Sequence, residues 1–315
     1  MHGTLRFILA ILVVLSHLGI TFYGYNPGVS AVVIFYMLAG MVSYKLLSTK
    51  FEHKPFLYYL DRIKRIFPLY FLVLTFSYIL YILGASSYFI SDSPNVLDYI
   101  SNLIIIPLSY YMYSGVDKFT LVPPVWSLGV ELQFYIIAPF IILYLKRLFL
   151  VFFFSMTIYI LAIIGILQTD YFGYRLIIGV IFIFLIGVFI QKAINEDKYN
   201  HINPLIVTYI ILFLVSIYVY MTKYKAPYNH ETLIALLVGI PLLLKLKKTQ
   251  RFTILDKYLG TISYAVFLLH FPVLWLVKMY GYSSNNIFLI VSLTIILSSI
   301  FIYFEKKLLY RLSCL

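Results

Sequence analysis

Two residues near the start of the chain could do chemistry together. Arg6 and His17 are eleven positions apart, and everything between them is apolar except Ser16. On a helix that spacing is roughly 1100°, about 20° past three full turns, so both side chains share one face, roughly 16 Å apart along the axis. An imidazole titrates near neutral pH. His17 can therefore take the proton of a hydroxyl or attack an activated acyl carbon itself. An arginine grips phosphate through a planar fork of donors. Arg62 and Arg65, three apart, form a second cationic pair on one helix face. Glu131 and His270 are further titratable groups inside apolar runs. A carboxylate at that depth is costly and calls for a partner, so Glu131 is expected either to act catalytically or to orient a neighbour. Trp126 stands at the end of its run, where an aromatic ring anchors at an interface or stacks on a ligand.

The elements that position these groups are membrane helices. The chain has 315 residues, 63% hydrophobic and 11% charged, with a mean hydropathy of +0.96. Such a composition defines a polytopic membrane protein. Apolar runs lie near 5–24, 29–48, 66–84, 126–145, 149–168, 175–192, 203–222, 231–246, 258–278 and 286–304, which gives an all-α fold of about ten spans. The run at 97–113 is short, opens on polar residues and contains Pro107; it reads as re-entrant or interfacial. With that reading and a cytoplasmic N-terminus, 19 of the 24 Lys and Arg residues fall on the cytoplasmic side. A crossing at 97–113 would split them 12 to 12. The excess of cations in cytoplasmic loops favours the first arrangement, with both termini inside. It also accounts for the net charge of +12 without a nucleic-acid partner. A single cysteine, Cys314, leaves no intrachain disulfide and no cysteine-based metal cluster, and no metal is expected. The first run lacks a cleavage site and reads as a retained span. The expectation is one transmembrane domain over 1–315 with no soluble domain fused to it.

Five motifs carry a resemblance. The Arg6–His17 spacing is the first. Next come FYMLAGMVSYKLL from Phe35, with Ala39 where a serine is commoner, and YLDRIKRIFPLY with Arg62, Arg65, Pro68 and Tyr70. They are followed by VWSLGVELQFYIIAP with Trp126, Glu131, Tyr135 and Pro139, and by LGTISYAVFLLHFPV with Gly260, Ser263, Tyr264 and His270. In this order they resemble the acyltransferase-3 family of integral membrane O-acyltransferases; residues 140–255 match in hydropathy alone. The resemblance implies transfer of an acyl group, acetyl for preference, from cytoplasmic acyl-coenzyme A to a hydroxyl of a surface or lipid-linked saccharide. It implies an essential His17 in mid-membrane, as base or acyl carrier, and a bacterial cytoplasmic (inner) membrane. The phosphates of coenzyme A would meet Arg6, Arg62 and Arg65, its pantetheine arm Ser263 and Tyr264, and the acceptor Trp126 and His270. A transporter or flippase of a lipid-linked glycan or small solute is the competing reading, since intramembrane His and Glu also serve proton-coupled transport.

The cation distribution makes a direct prediction. On a Cys314→Ser background, Lys225→Cys should react with a membrane-impermeant thiol reagent in intact cells, while Lys248→Cys should not. The reverse pattern would make 97–113 a true span.

Overall fold

The computed structural model describes residues 2–91, 93–196, 202–247 and 254–313. Cys314 and residues 197–201 and 248–253, which hold some of the cations counted above, lie outside the described residues. The described chain is helical, and pairing of extended backbone is limited to two isolated bridges, Phe22 with Tyr25 and Ile90 with Phe119. The helices are α1 (Gly3–His17), α2 (Pro27–Lys45), α3 (Pro55–Ile82), α4 (Val96–Ile104), α5 (Tyr111–Ser114), α6 (Trp126–Ile142), α7 (Leu145–Ile163), α8 (Ile177–Glu196), α9 (Ile202–Thr222), α10 (Asn229–Lys247), α11 (Ile254–Met279) and α12 (Ile287–Ser313). Among the described residues, nine helices are long and apolar enough to cross a membrane, and α1 is a shorter apolar helix.

Two boundaries differ from the hydropathy reading, each for a local reason. The first run was expected to continue to residue 24, but α1 stops at His17. Gly19, at φ +85°, closes the helix: its N–H donates to the Ser16 carbonyl and that of Ile20 to the Leu15 carbonyl, both at 3.0 Å. This paired closure needs a left-handed residue, which glycine adopts without steric cost. His17 therefore ends a helix rather than lying in the middle of one. The second difference is α3, which starts at Pro55 and runs through Pro68, so Arg62 and Arg65 are inside the helix rather than ahead of it. Neighbouring groups can tolerate a proline within a membrane helix by re-satisfying the freed carbonyl.

The 97–113 stretch forms no long helix. It breaks into α4, a 3-10 turn at Ile106–Tyr110 and the short α5, with Ile105 at φ +72°. Asn102 pins it: its side-chain amide donates to the carbonyls of Asp98 and Phe119 and accepts from the Leu121 N–H, each at 2.9 Å. The Tyr70 hydroxyl donates to the Asn102 carbonyl. Fully met polar groups are what allow irregular backbone in an apolar setting.

The chain divides into two compact units. Unit 1 comprises residues 1–20, 61–129 and 252–315; there α11 packs against α1 and α12. Unit 2 comprises 21–60 and 130–251; there α8 packs against α2 and α7, and α10 against α2. Helices in lipid gain little from apolar contact with one another, so small residues that let backbones approach carry the packing. Gly40 and Gly187 do this in unit 2. A Cβ on Gly40 would sit 1.8 Å from the Phe184 carbonyl oxygen, and one on Gly187 1.9 Å from that of Met37. Gly40→Ala should therefore force α2 and α8 apart and cost about 1–3 kcal/mol, read as earlier unfolding in a denaturing-detergent titration. Unchanged unfolding would show that the two helices slide freely.

Candidate active site

The site grows from the pairing of α1 with α11 in unit 1. The backbone N–H and hydroxyl of Thr4 both donate to Oδ1 of Asp256, at 2.8 and 2.9 Å. Beside this anchor the helices nearly touch: a Cβ on Gly3 would lie 1.8 Å from the Asp256 carbonyl oxygen, and one on Gly260 2.7 Å from the Gly3 Cα. Gly3 stands fourteen residues before His17, and Asp256 fourteen before His270. Helices that start in register and rise equally bring those positions level, about 21 Å further along. Nδ1 of His17 and Nε2 of His270 are 2.9 Å apart. Their ring planes differ by 12°, with centroids 5.1 Å apart. That separation matches one in-plane N–H···N bond plus the two ring radii, so the imidazoles meet edge to edge.

The direction of this bond follows from a third atom. Nδ1 of His270 lies 2.8 Å from the Phe267 carbonyl oxygen. A carbonyl can only accept, so that nitrogen carries the proton, and Nε2 of neutral His270 is an acceptor. Nδ1 of His17 must then donate, which makes Nε2 of His17 the nitrogen that gains and loses a proton. His270 is buried, 3% exposed, while His17 is exposed. One imidazole is thus fixed inside the protein and the other is open at its surface. Phe271 packs against both rings at 5.0 Å, and Phe89 packs on Phe271 at 5.2 Å.

The other expected site residues are distributed as follows. Arg6 lies on α1 with His17, partly buried. Ahead of it, burial pushes the His2 imidazole down to about 4; nearby positive charge, Arg6 included, acts the same way, and His2 stays neutral at pH 7. Arg62 is ion-paired with Asp61. Arg65 is within electrostatic reach of Glu305 on α12, a residue 7% exposed. The Ser263 hydroxyl donates to the Gly260 carbonyl at 3.0 Å, and the Tyr264 hydroxyl to the Ile66 carbonyl at 3.2 Å, tying α11 to α3 next to Arg65. Trp126 opens α6, partly buried. Glu131 belongs to unit 2, where it accepts the hydroxyl of Tyr135. Among the described residues no group of three His, Cys, Asp or Glu is arranged to hold a metal. Asp256, Phe271, Asp61, Glu305 and the Phe267 carbonyl have no signature in the sequence. The equal fourteen-residue spacings take on meaning only once α1 and α11 are known to pair.

An all-helical, multi-pass membrane protein with a hydrogen-bonded imidazole pair is the class these elements define. Residues 4–304 match the family model described as the acyltransferase domain of acyltransferase-3 type. The chain belongs to this family and is a membrane acyltransferase. A relative from Aquifex aeolicus (strain VF5), carried as an uncharacterized protein, is 39% identical over 204 residues, covering 64% of this chain and 90% of the relative. No solved structure matches the chain.

The proton order is measurable. With histidine selectively labelled with nitrogen-15, both rings should show the Nδ1–H tautomer above neutral pH, and His270→Gln should release that constraint at His17. An Nε2–H tautomer at His270 would break the assignment.

Proposed function

We propose that the protein transfers an acyl group, acetyl for preference, from acyl-coenzyme A to a hydroxyl of a surface or lipid-linked saccharide, with His17 as the general base. The observation that carries this reading is the oriented imidazole pair, which leaves Nε2 of an exposed His17 as the proton acceptor. The donor supplies an acyl thioester. Nε2 of His17 takes the proton of the acceptor hydroxyl as its oxygen bonds to the acyl carbon. The carbon–sulfur bond breaks, and the same nitrogen returns the proton to the departing thiolate. His270 holds the His17 ring and stabilises its charged form through the Nδ1 bond. The resemblance supports the donor and acceptor classes and a bacterial inner membrane, and the cation count supports a cytoplasmic N-terminus; the family domain spans residues 4–304.

Arg6, Arg62 and Arg65 are proposed to hold the donor phosphates. They fit in charge and in fork geometry, although Asp61 and Glu305 stand beside two of them, so a phosphate must take Arg62 over from Asp61. Arg6 shares a helix face with His17, about 16 Å away along the axis, a gap suited to an extended pantetheine arm. Ser263 and Tyr264 on α11 are proposed to border that arm, and Trp126 to stack on the arriving sugar. Glu131, which accepts from Tyr135 in unit 2, is proposed to act in catalysis or to orient a neighbouring group.

His17→Ala should lower acyl transfer by roughly 10²–10⁴-fold while acyl-coenzyme A still binds. Arg62→Ala and Arg65→Ala should instead weaken donor binding roughly ten- to a hundred-fold, as expected for loss of a charge-assisted contact of about 1.5–3 kcal/mol. Calorimetry and turnover on purified protein separate the two effects. A fully active His17→Ala protein would remove the catalytic assignment.

A further inference from the structure

A proton acceptor must be aimed as well as held. His17 is the last residue of α1 and is exposed. Its outer side-chain torsion joins a tetrahedral carbon to a flat ring, and such torsions have broad wells. A hydrogen bond at one nitrogen leaves a ring able to swing about that bond. Yet the planes of His17 and His270 agree to within 12°.

Phe271 restrains that swing. Its ring meets His17 and His270 alike at 5.0 Å, tilted by 56° and 47°. One flat wall leaning on both imidazoles at nearly the same angle resists rotation of either against the other. Aromatic rings at that separation attract when offset or edge-on. Phe271 is 7% exposed and is held in turn. Trp275 meets it at 6.4 Å from the same helix, and Phe89 meets it at 5.2 Å, nearly perpendicular at 82°. Phe89 comes from neither imidazole helix; it lies on the loop between α3 and α4, also in unit 1.

The backbone of that loop is clamped on both sides of Phe89's neighbour Ile90. The Thr120 N–H donates to the Phe89 carbonyl at 2.7 Å, and the Ser91 N–H to the Lys118 carbonyl at 3.1 Å, around the bridge of Ile90 with Phe119. Asn102 holds the far side of the bridge through the Phe119 carbonyl and the Leu121 N–H, each at 2.9 Å. Ile90 and Phe119 are buried.

We infer that Phe89 is a positioning residue for His17: carried on a clamped loop, it presses Phe271 against the imidazole pair and so fixes the aim of Nε2. Its effect on His17 passes through Phe271. The catalytic meaning of that aim rests on the acyl-transfer reading, while the restraint on the ring is measurable without it. Leucine at position 89 keeps apolar bulk but loses the flat edge that meets Phe271; tyrosine keeps the edge.

The test pairs nitrogen-15 histidine spectra of the full-length protein in lipid nanodiscs with turnover. In Phe89→Leu, His17 should move from a single Nδ1–H tautomer toward an average of both, while His270, held by the Phe267 carbonyl, stays unchanged. Thiol release from acetyl-coenzyme A in native membranes should fall roughly ten- to a hundred-fold in kcat, with calorimetric binding of acetyl-coenzyme A unaltered. Phe89→Tyr should restore both the spectrum and kcat. Phe271→Leu gives the same readings should Phe89→Leu fail to fold. An unchanged His17 spectrum, equal changes at both histidines, unaltered turnover, or Phe89→Tyr behaving as Phe89→Leu would overturn the proposal. The spectra need neither donor nor acceptor, so a parent protein without turnover counts against the acyl-transfer reading alone, and the spectra then decide the restraint by themselves.

Discussion

The hydrogen bond between His17 and His270 is the constraint on which unit 1 depends. It links the last residue of a fifteen-residue helix to a buried position on α11. Its direction is set by a main-chain carbonyl, that of Phe267, which cannot donate. A side-chain partner could reverse its role on titration; a carbonyl leaves one arrangement for the neutral pair. The tautomer of His17 is thus set by a main-chain carbonyl that acts through the His270 ring.

That bond exists only if α1 and α11 keep their register, and the register is set about 21 Å away. Asp256 accepts twice from Thr4 where α1 begins and still has unmet N–H groups. A carboxylate at a helix N-terminus also meets the positive end of the helix dipole. Gly3 and Gly260 let the backbones close up beside it. Larger side chains there would separate the helices at one end and tilt the imidazoles apart at the other. The Schellman closure at Gly19 then stops α1 with His17 exposed on its last turn.

Charge elsewhere is handled by local neutralisation. Arg62 has Asp61 beside it, Arg65 has Glu305 near it, and Arg175 is paired with Asp170. Isolated charges are expensive in a bilayer and paired ones less so. Each pair therefore offsets part of the cost of placing its charges in an apolar bundle. Tyr36 departs from this pattern, a buried hydroxyl with its bonding capacity unspent.

By itself the sequence determined the class. Hydropathy marks membrane helices because apolar length is what the bilayer selects, and the spacing of Arg6 and His17 follows from helix periodicity alone. Five motifs in order carried the family, and its model matches across the chain. Helix ends were legible where a local residue dictates them: Gly19 was there to be read, though its effect on α1 is hidden from an average over twenty residues. Tertiary structure alone decided which residue meets which. That His270 supports His17, that Asp256 anchors α1, that Arg62 rests on Asp61 and that Glu131 bonds Tyr135 depend on helix register, side-chain rotamer and backbone carbonyl position. Hydropathy carries no such information, because helices packed in lipid are held by a few close contacts and hydrogen bonds rather than by the apolar surface they all share.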